Sequence, residues 1–127
     1  MRGLKIVMVI QAVLLLAYGL PYLLVPKWMT VFTQQLPAPE NYLLRGFGIG
    51  FFVLALLELK IIGDLERYRD LTLMFALLPS LFFVTIVLQA FVRGFNGAAW
   101  YWWLNGVVTG VVAIALFVMR ARATAQP

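Results

Sequence analysis

The chain has 127 residues, of which 64% are hydrophobic and 12% are charged. An ordinary soluble domain is about 45–50% apolar and about 25% charged, so this composition excludes an autonomous soluble domain and a disordered tail, and it indicates a membrane protein. The formal net charge is +5, but the cations stand at the ends of apolar stretches, where membrane topology explains them better than nucleic-acid binding does.

The chain contains neither cysteine nor histidine. It therefore lacks the thiolate and imidazole ligands of most metal sites and the commonest general base. Four of its five carboxylates stand between positions 58 and 70, whereas a di-metal site or a buried acid–base pair needs carboxylates that face each other from separate helices. We therefore expect no catalytic residue, no metal and no cofactor.

Four apolar stretches are long enough to cross a bilayer core, which takes about 20 helical residues. They cover residues 4–25, 42–62, 71–92 and 98–119. Helices are expected because continuous apolar runs lack the alternation of membrane barrel strands, and the first run is too long for a signal peptide alone. The short loops predict antiparallel neighbours. The expected fold is an all-α, polytopic bundle of four transmembrane helices, formed as a single domain over 1–127.

The loop after the first span has its own helical pattern. Pro26 can occupy the first turn of a helix, and Trp28, Val31 and Phe32 recur at helical spacing. We predict a short helix that lies in the membrane interface. An extended loop with a tryptophan anchor is the alternative.

The cations predict the orientation of the chain. Seven of them (Arg2, Lys5, Lys60, Arg67, Arg69, Arg120 and Arg122) stand on the side of the two termini, and three (Lys27, Arg45 and Arg93) stand on the other side. The excess predicts that both termini are cytoplasmic. Aromatic residues concentrate on the opposite, outer side.

Two pairs of glycines are candidates for helix packing. Gly46 and Gly50 lie in the second span, and Gly106 and Gly110 lie in the fourth. Small residues four positions apart let helix backbones approach closely in lipid. We expect packing within the chain, with the second span able to contact the fourth, and a homodimer through one of these faces is the alternative.

Five residues in the outer half of the spans are candidates for ligand binding: Arg45, Gln89, Asn105, Trp103 and Tyr18. If they converge, they form an amphipathic cavity open to the outer leaflet and suited to a lipid headgroup or another amphiphile. The alternatives are that Arg45 snorkels to the interface and that the amides, with Gln11 of the first span, bond between helices.

Glu58 and the prolines favour structural roles. Glu58 lies about 20 Å along the helix from Arg45, so the two cannot pair, and we predict instead an ion pair of Glu58 with a cation at the inner interface: Arg2, Lys5, Arg67 or Arg120. Pro79 in the third span and Pro21 in the first should each kink the helix or free a carbonyl.

The layout resembles that of small bacterial four-helix membrane proteins, including DoxX-like ones. The features that carry the resemblance are a basic start, Gly19, Leu20, Pro21 and Tyr22 at the close of the first span, Leu44, Arg45, Gly46, Phe47 and Gly48 at the opening of the second, and a tryptophan-rich start to the fourth. The resemblance implies four helices and a bacterial inner membrane, and it carries over no activity and no functional residues.

The leading hypothesis is a non-catalytic accessory or scaffolding subunit that packs against other membrane helices, as a homo-oligomer or in a larger complex. The alternative is a small binding or transport protein for a lipid, quinone or other amphiphile. A lipid-modifying enzyme that uses Arg45 with Glu58 or Glu40 is least favoured, because catalysis needs groups within hydrogen-bond reach. The expected partners are the bilayer, such a complex and an amphiphile, and no nucleic acid.

Overall fold

The computed structural model describes residues 2–33, 42–92, 94–95 and 97–125. Its elements are α1 (Arg2–Leu24), α2 (Pro26–Phe32), α3 (Tyr42–Gly63), a single 3-10 turn (Arg69–Leu71), α4 (Thr72–Val92) and α5 (Ala99–Ala125). The predicted all-α bundle is confirmed, and four of the helices are long and apolar enough to cross a membrane. The last helix is longer than predicted, since it continues beyond residue 119 to Ala125.

The short helix predicted in the first loop is confirmed as α2. Pro26 occupies its first turn, where the missing N–H would have no intrahelical partner in any case. The helix ends at Thr33, whose N–H and hydroxyl both donate to the Met29 carbonyl, at 2.9 and 2.7 Å. The Thr33 carbonyl in turn accepts a hydrogen bond of 2.9 Å from the Ala98 N–H. This bond ties the end of α2 to the residue that precedes α5.

Helices α1 and α3 are held together by contact between their backbones at Gly19 and Gly48. A Cβ placed on Gly48 would lie 2.5 Å from the Gly19 carbonyl oxygen and 2.5 Å from the Leu23 nitrogen. Only a glycine therefore fits at residue 48. The contact joins the end of α1 to the start of α3, so these helices are antiparallel.

Helices α4 and α5 form a second antiparallel pair. A Cβ on Gly106 would lie 3.4 Å from Ile86 Cγ2, and one on Gly110 would lie 3.2 Å from the Phe83 ring. Gly106 and Gly110 therefore both face a neighbouring helix. Their neighbour is α4, the third span, rather than the second span.

The prediction that Gly46 and Gly50 pack within the chain is wrong. Both residues are exposed, and a Cβ on either would meet nothing within 4 Å among the residues that the structure describes. Each lies two residues from Gly48, which rotates it by about 200° around the helix. When Gly48 faces α1, the other two glycines must face away from the bundle.

The buried core occupies one half of the bundle. We call the end where α1 and α4 begin and α3 and α5 end the basic end, and the opposite end the aromatic end. The core residues are Leu4, Met8, Leu15, Ala55, Ile61, Ile62, Leu65, Phe75, Ala76, Val112, Leu116 and Ala123. Most of them lie toward the basic end, so the two helix pairs are packed tightly there and leave space between them toward the aromatic end.

We predict that Gly48→Ala destabilises the protein, whereas Gly46→Ala does not. The added methyl of Gly48→Ala meets backbone atoms, which cannot move aside as a flexible side chain can, and overpacking of this kind costs about 1–3 kcal/mol. The free energy of unfolding in detergent micelles, followed by circular dichroism, measures the difference. Equal stability of the two variants would contradict the proposed backbone contact.

A candidate ligand-binding cavity

A cavity of about 700 Å³ lies between the two helix pairs, in the middle and aromatic part of the bundle. Its walls are mostly apolar and include Leu15, Phe47, Phe51, Phe82, Ile86 and Val108. Each long helix contributes residues at helical spacing. On α1, for example, positions 11, 15, 18 and 22 share one face. The volume lies within the range of about 300–1,000 Å³ typical of small-molecule sites.

Two side-chain hydrogen bonds, each made by at least one tyrosine, link α1 to α5 beside this cavity. The Tyr18 hydroxyl donates to Asn105 Oδ1, and the Tyr22 and Tyr101 hydroxyl oxygens are 3.0 Å apart. All four side chains line the cavity. We call these four residues the polar cluster. Each of the two bonds joins a residue of α1 to a residue of α5, so the polar cluster fixes the separation of these helices. The apolar cavity lies beside it.

Gln89 also lines the cavity, but its amide is engaged in the turn that follows α4. Gln89 Nε2 donates to the Gly94 carbonyl at 3.1 Å, and the Gly94 N–H donates back to the Gln89 carbonyl at 2.8 Å. Gly94 has a φ of 76°, a conformation that glycine adopts without strain. The side chain therefore stabilises the α4–α5 turn at the edge of the cavity.

Gln11 and Pro79 meet at the end of the cavity that lies nearer the basic end. Pro79 has no N–H, so the carbonyl four residues before it, that of Phe75, loses its usual helical donor. Gln11 Nε2 of α1 donates to this carbonyl at 2.8 Å. The expectations of a freed carbonyl and of an interhelical amide bond are both confirmed here. Gln11 Oε1 is buried and has no hydrogen-bond partner among the described residues.

The structure brings three of the five predicted ligand-binding residues, Tyr18, Gln89 and Asn105, to one cavity. Arg45 is exposed and does not line it, because the cavity face of α3 is formed by Phe47, two residues further along. Trp103 is 50% exposed. It is rotated by about 100° around α5 from Trp102, which does line the cavity.

Sequence reasoning missed several lining residues: Gln11, Tyr22, Tyr101 and Trp102. A signal for the first of them was present, because Gln11 stands seven residues before Tyr18 and therefore shares its face of the helix. The adjacent tryptophans offered no such signal, since which of them faces the bundle depends on the rotation of α5 about its axis.

The predicted ion pair of Glu58 is wrong. Its side chain is 0% exposed, and neither carboxylate oxygen has a hydrogen-bond partner among the described residues. It shares a helix face with the core residues Ala55 and Ile62, whereas the cations of α1 near this end are exposed. Arg120 donates from Nε to Thr72 Oγ1 at 3.1 Å instead.

No protein-family model, curated protein or solved structure matches this chain. The resemblance to DoxX-like proteins therefore stays a prediction. Within the part of the chain that the structure describes, no cluster of three or more carboxylates is placed to hold a metal ion, and Glu40 lies outside the described residues.

We predict that Glu58→Met raises the free energy of unfolding in micelles by about 1–3 kcal/mol. The substitution keeps a side chain of similar length and removes two buried oxygens that have no hydrogen-bond partner among the described residues. Chemical denaturation, monitored by circular dichroism, measures this free energy. Glu66→Met, at an exposed position, is the matched control and should change stability by less than about 0.5 kcal/mol. A marked loss of stability in Glu58→Met would show that the carboxyl has a partner.

Proposed function

We propose that this protein binds a neutral amphiphile in the cavity between its two helix pairs. The observation that carries the proposal is the cavity itself, about 700 Å³ with apolar walls and a polar cluster at one end, within a bundle whose long helices are apolar enough to cross a membrane. A pocket lined by apolar and aromatic side chains with a few convergent polar groups is the usual form of a small-molecule site.

The chemistry of the lining favours an uncharged ligand. Among the described residues, the cavity is lined by no lysine, arginine, aspartate or glutamate. A charged group buried there would lose its hydration without gaining a counter-ion, which costs several kcal/mol. The tyrosines and Asn105 can instead accommodate the uncharged polar part of a molecule whose apolar part lies against Phe51, Phe82 and Val108.

We propose the bacterial inner membrane as the location, with the aromatic end toward its outer side. The antiparallel fold supports this orientation, because Arg2, Lys5, Lys60 and Arg67 all lie at or near the basic end. An excess of lysine and arginine marks the cytoplasmic side of a membrane protein. A ligand would then enter from the outer half of the bilayer, next to the polar cluster.

Filling the cavity tests the proposal. Val108→Phe places a ring in the cavity, whereas Val107→Phe places the same ring at a position that is 63% exposed. We expect wild type and Val107→Phe to retain a co-purifying amphiphile near one molecule per chain, and Val108→Phe to retain about tenfold less. Mass spectrometry of organic extracts from the purified proteins measures the amount of amphiphile retained per chain.

Each variant's helix content and thermal midpoint serve as controls for folding. Equal retention by the two phenylalanine variants would place any co-purifying lipid outside the cavity and would overturn the proposal.

A second candidate function is that of an accessory or scaffolding subunit. The observation that favours it is the exposed face of α3, where Gly46 and Gly50 have open space before them and Ile49 and Val53 are exposed as well. A helix of another copy, or of a larger membrane complex, can approach closely over such a face.

The double variant Gly46→Leu with Gly50→Leu tests this second function. If that face binds another helix, we expect the variant to shift from an oligomer to a monomer, because the new side chains hold the helices apart. Native mass spectrometry in mild detergent measures the state, with Gly63→Leu, at another open position, as control. A wild type that is monomeric and free of partners would count against the scaffolding function.

A further inference from the structure

Three of the four sides of the bundle are closed by direct contact between helices. The backbones of α1 and α3 meet at Gly19 and Gly48. Between α4 and α5, the side chains of Phe83 and Ile86 pack against glycines of α5. The polar cluster joins α1 to α5 through two side-chain hydrogen bonds. Helices packed in this way leave no passage for a molecule of the size that the cavity holds.

The fourth side, between α3 and α4, is held differently. These two helices do not lie against each other as the other neighbouring pairs do. A contact across this side joins two rings, Phe51 of α3 and Phe82 of α4, whose centroids are 5.6 Å apart. Both side chains are half-buried, and both line the cavity. We call these two residues the ring pair. It bridges the side of the bundle where neighbouring helices approach each other least.

The exposed residues of the cavity wall lie on the same two helices. Phe47 of α3 is 44% exposed, and Thr85 and Gln89 of α4 are exposed as well. By contrast, the lining residues of α1 and α5 are all buried or half-buried. Tyr22 and Tyr101, at the aromatic end, are only 4% and 7% exposed. The open part of the wall therefore lies between α3 and α4.

The ring pair lies at the depth of lipid chains. Phe51 and Phe82 each stand near the middle of their helix. The exposed lining residues Phe47, Thr85 and Gln89 follow within one to two turns toward the aromatic end. An opening at these positions leads to the hydrocarbon of one leaflet rather than to water.

We propose that ligands enter and leave the cavity laterally from the bilayer, through a portal between α3 and α4, and that the ring pair is the gate of this portal. This inference rests on the proposed function. Rotation of two half-buried side chains opens the gate without separating any packed helices. The ligand is then an amphiphile dissolved in the membrane, since its apolar part passes from lipid into the cavity without exposure to water.

The chain contains no cysteine, so one cross-link can lock the portal. In Phe51→Cys with Phe82→Cys, a bis-methanethiosulfonate reagent links α3 to α4, and a reductant releases them. The probe is monooleoylglycerol, a neutral amphiphile, loaded onto the full-length protein in lipid nanodiscs and then replaced by an excess of its deuterated form. Native mass spectrometry measures the exchange rate and the amount bound.

We expect the cross-link to slow exchange about tenfold or more and to leave the amount bound at equilibrium unchanged, because a gate alters the rates of entry and exit together. The matched control is Phe83→Cys with Gly110→Cys, treated with the same reagent. It links α4 to α5, where a Cβ on Gly110 lies 3.2 Å from the Phe83 ring, and it should not change the exchange rate.

A single substitution provides an independent test. Phe82→Leu removes one ring of the gate, and we expect it to speed exchange about two- to tenfold, the factor that corresponds to the loss of one aromatic pair. Phe83→Leu makes the same change at the adjacent residue, which does not line the cavity, and should exchange the probe at the wild-type rate. Equal rates in these two variants would contradict the gate.

The outcomes separate this inference from the proposed function. If wild type retains the probe but the cross-link across the ring pair leaves exchange unchanged, the portal is wrong and the proposed function stands. If wild type retains no more probe than Val108→Phe, both proposals are overturned. If the cysteine variant fails to fold, or if the cross-link also lowers the amount bound, the rates of Phe82→Leu and Phe83→Leu decide the matter.

Discussion

Contact between two helix backbones, at Gly19 of α1 and Gly48 of α3, determines how the rest of the bundle is arranged. In lipid, no hydrophobic force drives helices together, so close packing of this kind has to do so. In the α4–α5 pair, the side chains of Ile86 and Phe83 pack against Gly106 and Gly110 instead. Two tight pairs result, and the space between the pairs is filled by side chains toward the basic end only. The cavity is what these two pairs leave between them toward the aromatic end.

A single missing backbone N–H explains a polar contact between α1 and α4 beside the cavity. Pro79 leaves the Phe75 carbonyl without a helical donor, and Gln11 supplies the replacement. The amide oxygen of Gln11 then has no hydrogen-bond partner in the part of the chain that the structure describes. Polar groups inside a membrane are costly, which makes an unpaired one a candidate for function. Glu58 has no partner within the described ranges either, but it does not line the cavity. Gln11 does line the cavity, although its amide oxygen has less than 1 Å² of accessible surface.

The sequence predicted how deep in the membrane each candidate site residue lies, but not which way its side chain faces. The position of a residue within a span follows from counting along the chain, and Tyr18, Gln89 and Asn105 were assigned to the correct half of the bundle in this way. Arg45 and Trp103 have the same depth, yet they face away from the cavity. Their direction depends on the rotation of each helix, which apolar residues on every side of a span leave undefined. The same uncertainty made the assignment of Gly46 and Gly50 wrong.

The amino-acid sequence by itself indicated that the chain lies in a membrane. It also determined the number and approximate bounds of the long helices, and the short helix that begins at Pro26. These properties depend on composition, on the length of apolar runs and on the fixed geometry of proline, all of which are local. Only the tertiary structure decided which glycines pack, that Glu58 has no hydrogen-bond partner among the described residues, and that Gln11 bonds to the Phe75 carbonyl. Each of these facts depends on how a helix is rotated toward its neighbours, and that rotation is set by contacts between residues far apart in the chain.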